Sequence, residues 1–237
     1  MKLPIILLAT LAAAPAVYSQ VFYTQDFSGA VGGEWSNTTT SETPAGARPF
    51  LGEFNNATVA LSLSGMPAHG QVTFSFDLFV IRTWDGSEVP GHEDTFRVAV
   101  GNGVTQTDVL NTAFSNHDVL RQAYPNSLAS GLLNAPGTGA TEINTLGYSF
   151  NAIQRDAVYN LSFTVPHTSS TFGAEFQATL NQGVLDESWG IANVQVSYGT
   201  AVPEPGEYAA VFGLGLAGFA AWRRRSRKVA NVAAQAA

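Results

Sequence analysis

The 237-residue chain has no cysteine, and between residues 20 and 201 it has no lysine either. The first absence excludes disulfides, thiolate zinc sites and cysteine catalysis, so a folded domain must draw stability from core size or from a bound metal. The second leaves that segment with five arginines against 16 acidic residues, a net charge of −11. Such a surface repels phosphate backbones and excludes nucleic acid as a partner. Where its carboxylates converge it favours cations, calcium above all; the plainer alternative is solvated acidic surface. Enzyme signatures are missing as well. His92-Glu93-Asp94 lacks the second histidine of a zincin, no GxSxG elbow occurs, and His69, His117 and His167 are scattered. Carboxylate pairs for glycoside hydrolysis can be drawn from Glu53, Asp77, Glu93 or Glu187, but a sequence carries no separation between them. The central segment therefore reads as non-enzymatic.

The two ends of this sequence are informative. Residues 1–19 place Lys2 before a short apolar run and a small-residue exit at Val17-Tyr18-Ser19. That order predicts a secretory signal peptide, entering the Sec translocon and cut after Ser19, with Ala16 as an alternative. Residues 20–199 are then an exported domain and residues 200–228 a tail. In the tail Val202, Pro203, Glu204 and Pro205 precede an apolar stretch, 208–222, and a basic cluster of Arg223, Arg224, Arg225, Arg227 and Lys228; residues 229–237 form a short extension. The prolines remove backbone donors and hold the chain extended, which suits a protease that grips a strand. The apolar stretch predicts a transmembrane helix in the inner membrane, and the basic cluster stays cytoplasmic.

The ordered triplet, Gly-rich apolar helix and arginine cluster resemble the PEP-CTERM sorting signal. The resemblance implies an exosortase-type membrane protease as partner and release to the cell surface. A plain anchor is the other reading, but 15 residues span roughly 22 Å at about 1.5 Å each, short of a ~30 Å hydrocarbon core. Gly213-Leu214-Gly215-Leu216-Ala217-Gly218 matches a dinucleotide-binding fingerprint only by accident, since no strand precedes it and arginines follow.

Alternation with a period of two marks the domain between these ends. Val72, Phe74, Phe76, Leu78 and Val80 fall on one face of a strand, and the pattern recurs at Leu61 and Leu63, at Phe96, Val98 and Val100, at Leu161, Phe163 and Val165, and from Phe172 to Leu180. Ala192, Val194, Val196 and Tyr198 predict one face of a last strand. At least seven strands without an amphipathic helix predict an all-β fold, a jelly-roll-like β-sandwich, with long loops at residues 32–49, 84–94 and 116–144. Phe50-Leu51-Gly52-Glu53-Phe54, Thr83-Trp84-Asp85-Gly86 and Asp186-Glu187-Ser188-Trp189-Gly190 resemble a recurrent bacterial surface-protein domain of unassigned activity.

Two ligand hypotheses follow. A structural calcium ion is expected to tie the first strand to the last through Asp26 and Glu34 with Asp186, Glu187 or Asn193. Trp84, beside polar residues and glycine, is the candidate to stack on a sugar, while Trp at a strand end more often closes a core, as expected for Trp189. The reading is an exported, non-enzymatic surface or matrix protein associated with the envelope or exopolysaccharide. A carbohydrate-binding module is the alternative, and a secreted glycan hydrolase the third.

Overall fold

The computed structural model describes residues 17–201 together with Leu216, Gly218 and Phe219, which are helical. Most of the expected signal peptide, the motif at 202–205, the basic stop and the rest of the apolar stretch lie outside the described residues. Among those described, no helix is long and apolar enough to cross a membrane.

Among the described residues there are thirteen strands, numbered in chain order, of which β2 to β12 lie wholly within the compact unit Ser19–Gly199. One sheet takes β1 (Val17–Gln25), β2 (Thr40–Glu42), β3 (Pro49–Phe54), β5 (Gln71–Arg82), β8 (Glu142–Ile143), β11 (Asp156–Pro166) and β13 (Glu187–Ala201). Their order is β2-β3-β13-β5-β11-β8, with β1 also on β13. The second sheet takes β4 (Thr58–Ser64), β6 (Thr95–Gly101), β7 (Gln106–Ala113) and β12 (Thr171–Thr179), in the order β4-β12-β6-β7. A small hairpin, β9 (Ser149–Phe150) with β10 (Ile153–Gln154), completes the set. β5 pairs antiparallel with β11 on one side and β13 on the other, so it runs through the middle of its sheet.

The alternation in β5 has the expected effect. Val72, Phe74, Phe76, Leu78 and Val80 enter a core shared with Phe96, Val98, Phe172 and Phe176 from the facing sheet. Phe176 meets Phe74, Phe76 and Trp35 at centroid separations of 5.7, 5.0 and 6.1 Å. Each fully buried ring of this kind stabilises by roughly 1.5–3 kcal/mol through lost apolar surface. The second half of β5 departs from simple alternation: Phe79 and Ile81 are buried too, on the outer face, with Phe50, Leu146, Tyr148, Val158 and Ala192. A loop segment covers that face because the buried Asp156 carboxylate accepts the Leu146 and Tyr148 amides at 2.9 and 3.1 Å.

The last strand corrects the expected pattern. A bulge between Ala192 and Gln195, with Asn193 at φ +50°, interrupts the period. Ile191, Val194 and Val196 therefore face the main core, while Ala192 turns to the outer cluster. The loop at 116–144 is likewise pinned: Gln122, fully buried, receives the Ser115 amide at 3.0 Å and donates to the Thr138 carbonyl at 2.9 Å. Phe176→Ala is expected to cost about 3–5 kcal/mol in equilibrium denaturation. Val104→Ala, at a side chain 93% exposed, should stay within about 0.5 kcal/mol of the parent.

Candidate functional site

Three carboxylates converge at one end of the sandwich. Asp85 follows β5, Asp94 precedes β6 and Glu187 opens β13, and one oxygen from each lies within 4.8 Å of the others. Asp94 and Glu187 are fully buried and Asp85 partly so. Gly86 makes the turn after Asp85 at φ +75°, where a Cβ would strike the Arg121 carbonyl. The loop then returns so that the Asp94 amide donates to the Gly86 carbonyl at 2.8 Å. The Asp85 amide donates to Asp94 Oδ2, the Asn181 amide reaches Asp94 Oδ1 at 3.3 Å, and the Gln182 amide reaches Glu187 Oε2 at 2.8 Å.

Among the described residues no arginine neutralises this group. Arg82 is bound to Glu53 at 2.7 Å, and Arg155 donates to Asp118 and to the Asn116 carbonyl. Burial, reinforced by mutual repulsion, therefore pushes the Asp94 carboxyl up to about 6 and Glu187 to about 9. Burial also raises Asp85, against the opposing pull of His117 and His92. Such a cluster either holds protons to higher pH than free carboxylates do or exchanges them for a hard cation with oxygen ligands. The Gln182 side chain adds a donor, with its amide nitrogen turned toward the Glu187 carboxylate.

The five residues expected to hold calcium do not come together. Asp26 and Asn193 share a surface hollow of about 390 Å³ with Thr24, Gln25, Val194 and Gln195. There Asp26 accepts the Ser28 amide and hydroxyl, and Asn193 donates to Asp77 at 2.7 Å. Glu34 is occupied by the Tyr23 hydroxyl at 2.9 Å. Asp186 accepts the Thr83 hydroxyl, and only Glu187 joins the carboxylate group. Glu187 and Asn193 sit six residues apart on one strand, about 20 Å at ~3.3 Å per residue, so no single ion touches both. Asp85 and Asp94 were missed; both flank one loop, immediately outside strands β5 and β6, and that placement was their only signal.

Trp84 is also corrected. Its indole is fully buried and donates to the Ser188 carbonyl at 2.9 Å, so it offers no face to a sugar. Trp189 packs as expected, 5.2 Å from the Phe96 ring.

The family described as PEP-CTERM protein-sorting motif matches residues 201–225. A search of curated proteins finds no match. Among solved structures the chain is similar to dimeric latent PorU from Porphyromonas gingivalis, at 10% identity and a TM-score of 0.45, over 82% of this chain and 14% of that one. It is similar to TmCBM27, a carbohydrate-binding module described by specific mannan recognition, at 12% identity and 0.40, over 76% and 98% of the two chains. The K3 cleaved adhesin domain of Lys-gingipain from Porphyromonas gingivalis gives 12% identity and 0.37, over 75% and 99%.

The raised carboxyls set a pH dependence. In the unfolded chain they lose their protons near pH 4, whereas the fold retains them, so their contribution is complete below about pH 4 and is lost as pH rises through the raised values. In chelator the melting temperature should fall as pH is raised from about 5 to about 9, and Glu187→Gln should flatten that fall. A profile equally steep in parent and variant would remove Glu187 as its source.

Proposed function

We propose that this chain, which carries a PEP-CTERM protein-sorting motif at residues 201–225, is an exported, non-enzymatic surface or extracellular-matrix protein. In this reading the Sec translocon exports it, the tail holds it transiently in the inner membrane, and an exosortase-type protease processes it. Its jelly-roll-like sandwich then faces the envelope or exopolysaccharide. The sorting motif is the observation that carries the proposal.

The state of the four carboxylates drawn from the sequence as hydrolytic candidates supports the non-enzymatic part. A hydrolase needs two carboxyl groups that reach a scissile bond. Glu187 is fully buried, Glu53 is held by Arg82, Glu93 accepts the Gly91 amide at 2.9 Å, and Asp77 accepts Asn160 and Asn193. We assign Asp85, Asp94 and Glu187 instead to a structural calcium ion that fastens the loop after β5 to the start of β13. The convergence of three carboxylate oxygens supports that role in a domain without disulfides.

Pro203→Ala, Glu204→Ala and Pro205→Ala together should leave an unprocessed chain in the membrane fraction, while the parent reaches the surface. Identical fractionation of the two would defeat the sorting reading. For calcium, a free concentration a hundredfold above Kd adds about 2.7 kcal/mol, so the melting temperature at pH ~8 should rise by several degrees and return with chelator. An unchanged midpoint eliminates the ion.

A further inference from the structure

The end of the sandwich that carries the carboxylate group also holds a surface cavity of about 300 Å³. Five chain segments meet there: Thr83 and Asp85 after β5, His117 from the long loop, Phe150, Asn151 and Ile153 from the β9–β10 hairpin, Arg155 before β11, and Gln182 with Asp186 before β13. The volume is at the lower end of the ~300–1,000 Å³ common for ligand sites, enough for one or two sugar residues.

The walls differ in chemistry. Phe150 and Ile153 are direct cross-strand partners, which places their side chains on one face of the hairpin. Ile153 remains 52% exposed, so this pair forms an apolar surface open to solvent. The two-residue turn that holds it, Asn151 and Ala152, has φ of +49° and +64°, a left-handed geometry that alanine adopts only at a cost. The Asp85 and Asp186 carboxylates and the Gln182 amide also line the cavity. Arg155, the only full positive charge among the described lining residues, is already spent on Asp118. His117 accepts the Val119 amide at Nδ1, which fixes the neutral ring's proton on Nε2 and makes that nitrogen a donor.

We propose that this cavity binds an uncharged, hydroxyl-rich sugar residue, with the apolar face of the ring against Phe150 and Ile153 and its hydroxyls donating to Asp186. The inference rests on the reading of the sandwich as a domain that faces surface polysaccharide, and it names the site and the class of glycan. The Asp186 carboxylate, with no free cation beside it among the described lining residues, repels uronic acids, so specificity follows from charge as well as shape.

The test uses the full chain purified in detergent, titrated calorimetrically with neutral oligosaccharides (mannotetraose, cellotetraose and laminaritetraose) and with tetragalacturonate. Binding of at least one neutral probe is expected, with none of tetragalacturonate. Phe150→Ala and Asp186→Asn should each weaken it tenfold or more. Phe150 lies in the small exposed hairpin, so its variant keeps the parent melting temperature and excludes misfolding as the cause. No binding to any neutral probe, binding to tetragalacturonate alone, or full-strength binding in both variants overturns the cavity assignment. Each of those results leaves the fractionation of the parent and the sorting proposal untouched.

Discussion

The fold depends on burial of both faces of β5. Its inner side chains meet the second sheet, while Phe79 and Ile81 meet a cover of loop residues outside. Along its edges it is hydrogen-bonded to β11 and to β13. In a chain without cysteine this strand does the work of a covalent staple, because every layer of the molecule touches it. Asp156 and Gln122 extend the same logic to the loops, since each is a buried polar group that holds chain segments distant in sequence.

Much of this was legible beforehand, and the reason is the simple period of a half-buried strand. Val72 through Val80 alternate because one face is core, and the same is true of Phe172 through Ala178. The outer cover over Phe79 and Ile81 was not legible, since nothing in a strand's own pattern says what lies across from its second face. The last strand misled for a different cause. One extra residue at the bulge shifts every following side chain, and the composition around Asn193 gives no sign of it.

The site shows the same division. Glu187 was expected to be a ligand, but with partners drawn from the chain ends, on the idea that an ion ties first strand to last. The carboxylates that meet it come from either side of one loop in mid-chain, Asp85 and Asp94. Sheet order brings them there: β13 lies beside β5, and Phe114 and Asn181 hydrogen-bond to Asp94 from the neighbouring segments. Trp84 follows from the same contact. It lies next to the carboxylates in sequence, and its indole is drawn inward to the Ser188 carbonyl one residue beyond Glu187.

The position of β13 has a mechanical consequence. This strand is the last of the domain before the sorting motif, and it lies between β3 and β5 rather than at a sheet edge. A pull transmitted from residue 201 runs along the strand, so its pairing with β5, which extends from Glu187 to Gly199, is loaded in shear instead of peeling one bond at a time. A domain tethered through such a strand resists traction at its attachment point better than one hung from an edge.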